Sequence, residues 1–353
     1  MHCRREKTGG RREDRFRAVT HQFSRREFLR LASIAVLTPT LRHAQQRRAL
    51  FYGRVIFVYA TIYSRPSVLA PTGTVHELET ILPIYAEVRG EDETAYNKRW
   101  YETDGGYIHS TNVQPVLDQP NKPRAALAPS LGELTVPFAD ALAEPKTKSP
   151  RVYRLYFSTT HWVQKSLIDD QGNVWHELID DRFDDLYYVP ATAIRFIPPD
   201  ELSPLSPNVG DKQIHLDTTD QTITALENGR PVFSTRISSG GSFTDSATGA
   251  VKDFRTPLGK YAVHRKRPSR HMAAGDGAAD DAYDLPGVPW VSYFNGGIAI
   301  HGTYWHNDFG RPWSHGCINL LSQDAKWFYR WTTPAVPSDA ELVDAEGTVV
   351  TVV

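Results

Sequence analysis

Short apolar runs separated by turn formers dominate the chain. Between residues 50 and 118, β-branched and aromatic residues cluster at 55–59, 80–88 and 99–101. Tyr63-Ser64-Arg65-Pro66-Ser67 reads as a turn, and Gly105-Gly106-Tyr107-Ile108 leads into a strand ending near Val113. Runs bounded in this way by Gly, Pro and Ser are strand signals, and their regular spacing predicts a small barrel over 50–118. A Pro- and Ala-rich stretch at 119–150 reads as a linker into a second strand set. Residues 151–197 repeat the first pattern in outline, with a β-rich run at 152–158, a central Trp175 and a closing Tyr187-Tyr188-Val189-Pro190, so a second module is expected at 130–200. Prolines at 198, 199, 204 and 207 mark another boundary. Beyond it, 212–216 and 222–226 flank the turn Asp217-Thr218-Thr219-Asp220, and Asn228-Gly229 turns the chain into 231–234. Further strands are expected at 259–263 and 297–301, and the apolar residues of 325–331 recur at helical spacing. The chain is predicted to be mainly β with one short helix, in a final domain at 209–353.

Composition narrows what such a protein does. With 353 residues, 40% of them hydrophobic, the chain is long enough for two or three domains with real cores. The net charge of -1 hides an asymmetry: residues 1–48 hold 13 Lys and Arg against 4 Asp and Glu, leaving 27 basic and 37 acidic residues in the rest. A body with that balance is a poor phosphate-backbone binder, so no nucleic acid partner is expected. The basic head reads as an export signal over 1–45. Ser24-Arg25-Arg26-Glu27-Phe28-Leu29 looks like a twin-arginine pattern, an apolar stretch runs from residue 31 to 41, and Ala44 follows as a small residue. That stretch is about half the ~20 residues a membrane span needs, so no stable span is expected after cleavage. The expected location is the cell envelope, in the periplasm or the extracytoplasmic wall. Only Cys3 and Cys317 are present, and Cys3 would leave with the signal. Cys317 then stands alone in an exported protein, where cysteines usually pair, which makes it either a core residue or a reactive group.

Its neighbours favour the second. His301-Gly302-Thr303 closes a strand, and Ser314-His315-Gly316-Cys317-Ile318-Asn319 follows a loop rich in Trp, Tyr, Asn, Asp, Gly and Pro. A nucleophile needs exposure, a base within hydrogen-bond reach and nearby N–H groups for an oxyanion. His301 can serve as base, with a loop carbonyl holding its second nitrogen. The peptide N–H groups of Gly316 and Cys317 are approachable because Gly316 has no side chain, and an imidazolium nearby would lower the thiol pKa. A metal reading competes, since His301, His306, Asp308, His315 and Cys317 lie close in sequence. No zinc spacing appears among them, so no metal and no cofactor are expected. Trp305 and Trp313 read as groove or packing residues, and Arg265-Lys266-Arg267 as a solvated face or a contact with anionic wall polymer.

The His-Gly pair, the spacer and Ser-His-Gly-Cys-x-Asn together resemble the signature of the L,D-transpeptidase (YkuD) family. Thr256-Pro257-Leu258-Gly259-Lys260-Tyr261 is similar to that family's Thr-Pro-x-Gly-x-Tyr motif. The resemblance covers residues 209–353 and implies a β-sandwich catalytic domain with a cradle over the site, to which residues 264–290 would contribute a covering insertion. It implies Cys317 as nucleophile and His301 as general base and acid. His315 and Gly316 would shape the oxyanion pocket and the nucleophile loop, and Asn319 and Ser314 would hold substrate or the loop. The implied partner is a peptidoglycan stem peptide, from which D-alanine is lost as a Cys thioester forms and an amine of a second stem closes a cross-link. Carbapenem acylation of Cys317 is a further implication. The segments before it resemble bacterial SH3-like modules, and the protein is expected to be monomeric. A carboxypeptidase or other cysteine peptidase of wall peptides, and a silent wall-binding protein, are the alternatives. In cysteine peptidases of the NlpC/P60 type the nucleophile usually precedes its histidine, whereas here His301 precedes Cys317.

Overall fold

A computed structural model describes residues 47–126, 129–244, 248–274 and 282–353. The expected export signal at 1–45, with Cys3, lies outside the described residues. Among those described, no helix is long and apolar enough to cross a membrane.

Strands account for nearly all the regular structure. The first module pairs Phe51–Val55 with Ile81–Ile84 and Val113–Val116, and builds a five-stranded sheet centred on Gly106–His109. The β-rich run at 55–59 is not one strand: Phe51–Val55 ends, Tyr59–Tyr63 begins, and the break turns the Phe57 ring onto Trp313, 6.1 Å away. The second module is a seven-stranded sheet. The Pro- and Ala-rich stretch read as linker in fact contains two of its strands, Ser130–Leu134 and Phe138–Leu142. Both modules bury their central tryptophan, Trp100 or Trp175, and both close through a strand, one 3₁₀ turn and another strand.

The last domain folds as two five-stranded sheets. One runs Arg230–Arg236, Thr222–Glu227, Lys212–Asp217, Val349–Val352, Gly259–Ala262; the other runs Ile318–Leu321, Ile298–Thr303, Tyr283–Asn295, Arg265–Ala274, Val343–Asp344. Ile214, Leu216, Ile223 and Val350 of the first and Ile300, Ile318 and Leu320 of the second meet in one apolar cluster. Helix α1 (Ser322–Trp331) adds Ala325, Phe328, Tyr329 and Trp331 to it, the face its periodicity predicts. Leu131, Trp162, Ile197 and Leu202, from the second module and the segment after it, belong to the same cluster, so the apolar interior crosses the boundary at 198–207.

The C-terminal carbonyls of α1 find unexpected donors. Lys266 is fully buried, and its Nζ donates to Tyr329 O at 2.5 Å, Thr332 O at 2.9 Å and Pro334 O at 2.8 Å. Lys212 Nζ reaches Leu205 O and Trp331 O at 2.7 and 2.9 Å. Two lysine side chains thus satisfy carbonyls at and just beyond the helix end, although burial lowers the Lys266 pKa to about 7. The Arg265-Lys266-Arg267 run is therefore not a solvated face. Successive strand residues point to opposite sides, which sends Lys266 inward, while Arg265 stacks over Tyr293 and Arg267 pairs with Asp181.

Candidate active site

Cys317 and His301 sit on adjacent parallel strands. Ile298–Thr303 and Ile318–Leu321 pair with Ile300 opposite Ile318 and His301 opposite Asn319. Cys317 immediately precedes the second strand, and its Sγ accepts the Ala299 N–H at 3.4 Å and faces Gly297 O at 3.8 Å. Two residues beyond Ala299, His301 projects to the same face of the strand. It is buried, with Nδ1–H held by Gly302 O at 3.0 Å and the Trp305 ring tilted beside it at 5.7 Å. The loop carbonyl anticipated for the second ring nitrogen is thus present, and it leaves Nε2 with a free lone pair. Trp305 and Cys317 pack against the small core of Val288, Val291, Tyr293, Ala299 and Tyr304.

The electrostatics differ from expectation. Burial pushes the Cys317 thiol up to about 11, against the Ala299 N–H, and burial lowers His301 to about 4. At neutral pH both groups are uncharged, so no imidazolium lowers the thiol pKa in the free protein.

The nucleophile loop is braced from below. Gly316 has φ +114°, where a side chain would be strained. Its N–H donates to Ser314 Oγ at 3.1 Å, and Ser314 Oγ in turn donates to Cys317 O. One of the two N–H groups expected for an oxyanion is therefore already engaged, while the Cys317 N–H meets no acceptor among the described residues. Thr256, the first residue of the second motif, donates from Oγ1 to Gly316 O at 2.9 Å and accepts the Gly240 N–H at 2.9 Å. Ser314 also bridges Ser239 and Gly241 through backbone bonds of 3.0 Å. Asn319 is buried, exchanges backbone bonds with Ser238, and sets its amide 2.8 Å from His306 Nε2. Neither Ser314 nor Asn319 faces solvent here; both hold the loop. His315 is exposed and lies among Phe243, Phe254 and Tyr283 at 5.4, 4.5 and 5.6 Å.

The first module reaches the loop between His301 and Cys317. Arg54 is buried and donates to Tyr304 O at 2.7 Å, Asn307 Nδ2 donates to Ser110 O and Val113 O at 3.0 Å each, and the Tyr96 hydroxyl donates to Asp308. These supporting residues were invisible to motif reading, because their partners lie up to 250 residues away in the chain. Gly240 alone left a trace, as part of Ser239-Gly240-Gly241.

This geometry has relatives. Residues 211–352 match the YkuD family, the L,D-transpeptidase catalytic domain. Among solved structures, the chain is similar to an L,D-transpeptidase from Xylanimonas cellulosilytica, at 26% identity over 42% of this chain and 64% of that one, TM-score 0.30. It is similar at 23% identity to a mutant L,D-transpeptidase from Enterococcus faecium, over 42% of this chain and 51% of that one, TM-score 0.30. An L,D-transpeptidase from Mycobacterium smegmatis is 17% identical over 55% of this chain and 89% of that one, TM-score 0.32. The chain thus spans between half and two thirds of the length of the first two. A search of curated proteins finds no match.

Proposed function

We propose that the protein is an exported peptidoglycan L,D-transpeptidase, with Cys317 as the acyl-accepting nucleophile and His301 as its general base and acid. The observation that carries this is the paired-strand arrangement, with Cys317 at the mouth of one strand and a tautomer-fixed His301 on the next. The match over 211–352 supports the reaction class.

Each step follows from the neutral resting pair. The Cys317 proton passes to His301 Nε2 as Sγ attacks the carbonyl carbon before the terminal D-alanine of a stem peptide. Proton transfer and attack are then coupled, because a free thiolate in this site is costly. The oxyanion takes the Cys317 N–H. The C–N bond breaks, His301 returns its proton to the departing amine, and D-alanine leaves a thioester. An amine of a second stem then attacks the thioester carbonyl and gives its proton to His301. The sulfur leaves and recovers that proton, and the new amide is the cross-link. The thioester retains the energy of the first amide, so no nucleotide is consumed. His315 and its aromatic neighbours frame the cleft, while Ser314, Gly316 and Asn319 hold the loop in shape.

Intact mass after mixing the protein, or its Cys317→Ala variant, with a tetrapeptide-stem muropeptide tests the reading. Loss of D-alanine with a 3→3 linked dimer, absent in the variant, is expected. Loss without a dimer would indicate hydrolysis, and an unchanged substrate would overturn the enzymatic reading.

A further inference from the structure

The strand pair Arg265–Ala274 and Tyr283–Asn295 is irregular at one point. Arg270 pairs with Val288 and Met272 with Leu285, so His271 on one strand faces Pro286 and Gly287 on the other without pairing. Bulges of this kind re-aim side chains, and this one delivers His271 to the second module. The ring is 2% exposed. Its Nδ1 lies 2.5 Å from Asp180 Oδ2, and its Nε2 bonds Asp284. Tyr153 and Phe183 meet its faces edge-on at 5.5 and 5.4 Å. Around it the same module grips the strand again. Asp181 accepts the His271 N–H at 2.6 Å and Arg270 Nη1 at 2.8 Å, and Arg182 donates to Ala273 O at 2.5 Å. His161 is packed under Gly287, where a Cβ would fall 2.2 Å from its ring.

The residues beside this cluster pack near the nucleophile loop. Met272 and Leu285 pack on the same apolar group as Cys317. Tyr283, next to Asp284, places its ring 5.6 Å from His315, two residues before Cys317.

We infer that Asp180, His271 and Asp284 form a clamp by which the second module holds Tyr283 against His315 and limits access to Cys317. His271 is a positioning residue, and the second module is a working wall of the site. The clamp is strongest when the ring carries both protons, since each nitrogen then donates to a carboxylate. With one proton gone, Asp180 or Asp284 faces a lone pair. Burial disfavours the charged ring, but the bonds to Asp180 and Asp284 outweigh it and raise the His271 pKa above its ordinary value. The charged and titratable groups around the ring are Asp180, Asp181, Arg182, Asp185, Tyr153 and His161 from the second module, and Asp284 and Arg270 from the strand pair.

This inference rests on Cys317 being the reactive group of the proposed function, but its test does not need the proposed substrate. Cys317 in the full-length protein is alkylated with iodoacetamide and with the bulky N-pyrenylmaleimide, and the ratio of bulky to small rate is followed by the mass of the peptide that carries Cys317, apart from Cys3. In the His271→Ala and Asp284→Asn variants that ratio is expected to rise about tenfold, the effect of losing one charge-assisted hydrogen bond. Tyr283→Ala is expected to reproduce the rise. Asp284 is 59% exposed at its side chain, so its variant keeps the test available if the buried substitution prevents folding. In the unsubstituted protein the ratio should climb as pH rises through the His271 transition, and this climb should vanish in Asp284→Asn. An equal ratio in all four proteins, or a flat pH profile in the unsubstituted one, would overturn the clamp. An active clamp in a protein that leaves muropeptides intact would instead refute the proposed substrate alone.

Discussion

Gly240→Ala is the sharpest test of how the nucleophile loop is held. A Cβ at Gly240 would stand 2.0 Å from Phe254 O, 2.7 Å from Gly316 Cα and 2.8 Å from Thr256 N. All three are backbone atoms, so no side chain can swing aside. Reaching ordinary contact at 3.4 Å from Phe254 O requires 3.4 − 2.0 = 1.4 Å of movement. That movement falls on the segment that bonds Thr256 and bridges Ser314, and therefore on the loop carrying Cys317. Overpacking of this kind costs ~1–3 kcal/mol. A misplacement of ~1 Å at a reacting group costs about 100-fold in rate. The variant is expected to fold, to melt a few degrees lower, and to acylate about 100-fold more slowly in a single-turnover assay of D-alanine release. Gly210→Ala is the control, because nothing lies within 4 Å of a Cβ there. A Gly240→Ala protein with the unsubstituted melting point and acylation rate would refute the bracing of the loop through Gly240 and Thr256.

Cys317 alkylation by iodoacetamide should rise about tenfold per pH unit from neutral to alkaline pH, since burial holds the thiol near about 11 and His301 near about 4; a plateau at neutral pH would reveal a thiolate–imidazolium pair instead. Lys266→Met should destabilise the protein by at least ~2 kcal/mol in urea unfolding, because three buried carbonyls lose their donor; equal or greater stability would show that the ammonium is dispensable. Glu201, held down to about 2 by the hydrogen bond from Arg195 and then by Lys326, stabilises the fold above its unfolded value of ~4.3 and loses that contribution as pH falls toward about 2. Glu201→Gln should therefore melt lower than the unsubstituted protein at pH 6 and converge with it near pH 2, and a pH-independent gap between the two melting curves would contradict the assignment.

The candidate site was legible because its residues are neighbours in the chain. His301-Gly302-Thr303 ends one strand, Cys317 stands just before the next, and the connection over 304–317 is long enough for the crossover that a parallel pair needs. The paired strands at 212–236 and helix α1 were equally plain from alternation and helical spacing. What escaped was whatever depends on partners far along the chain. Lys266 looks like a surface charge until the end of α1 and the segment after it set three carbonyls around it. Asn319 looks like a substrate ligand until His306 takes its amide. The thiol pKa escapes the sequence because the sequence shows a histidine nearby but not the desolvation that holds both groups neutral.

The apolar cluster that runs from Leu131 and Trp162 through Trp290 to Phe328 bears on how the protein can be dissected. A catalytic domain cut free at the proline-rich boundary would present to water the apolar surface that Trp162 and Leu202 now cover. Such a fragment is a poor cassette: it cannot be shuffled onto a new partner without repainting that face, and heat should melt the second module and the catalytic domain in one calorimetric step rather than two.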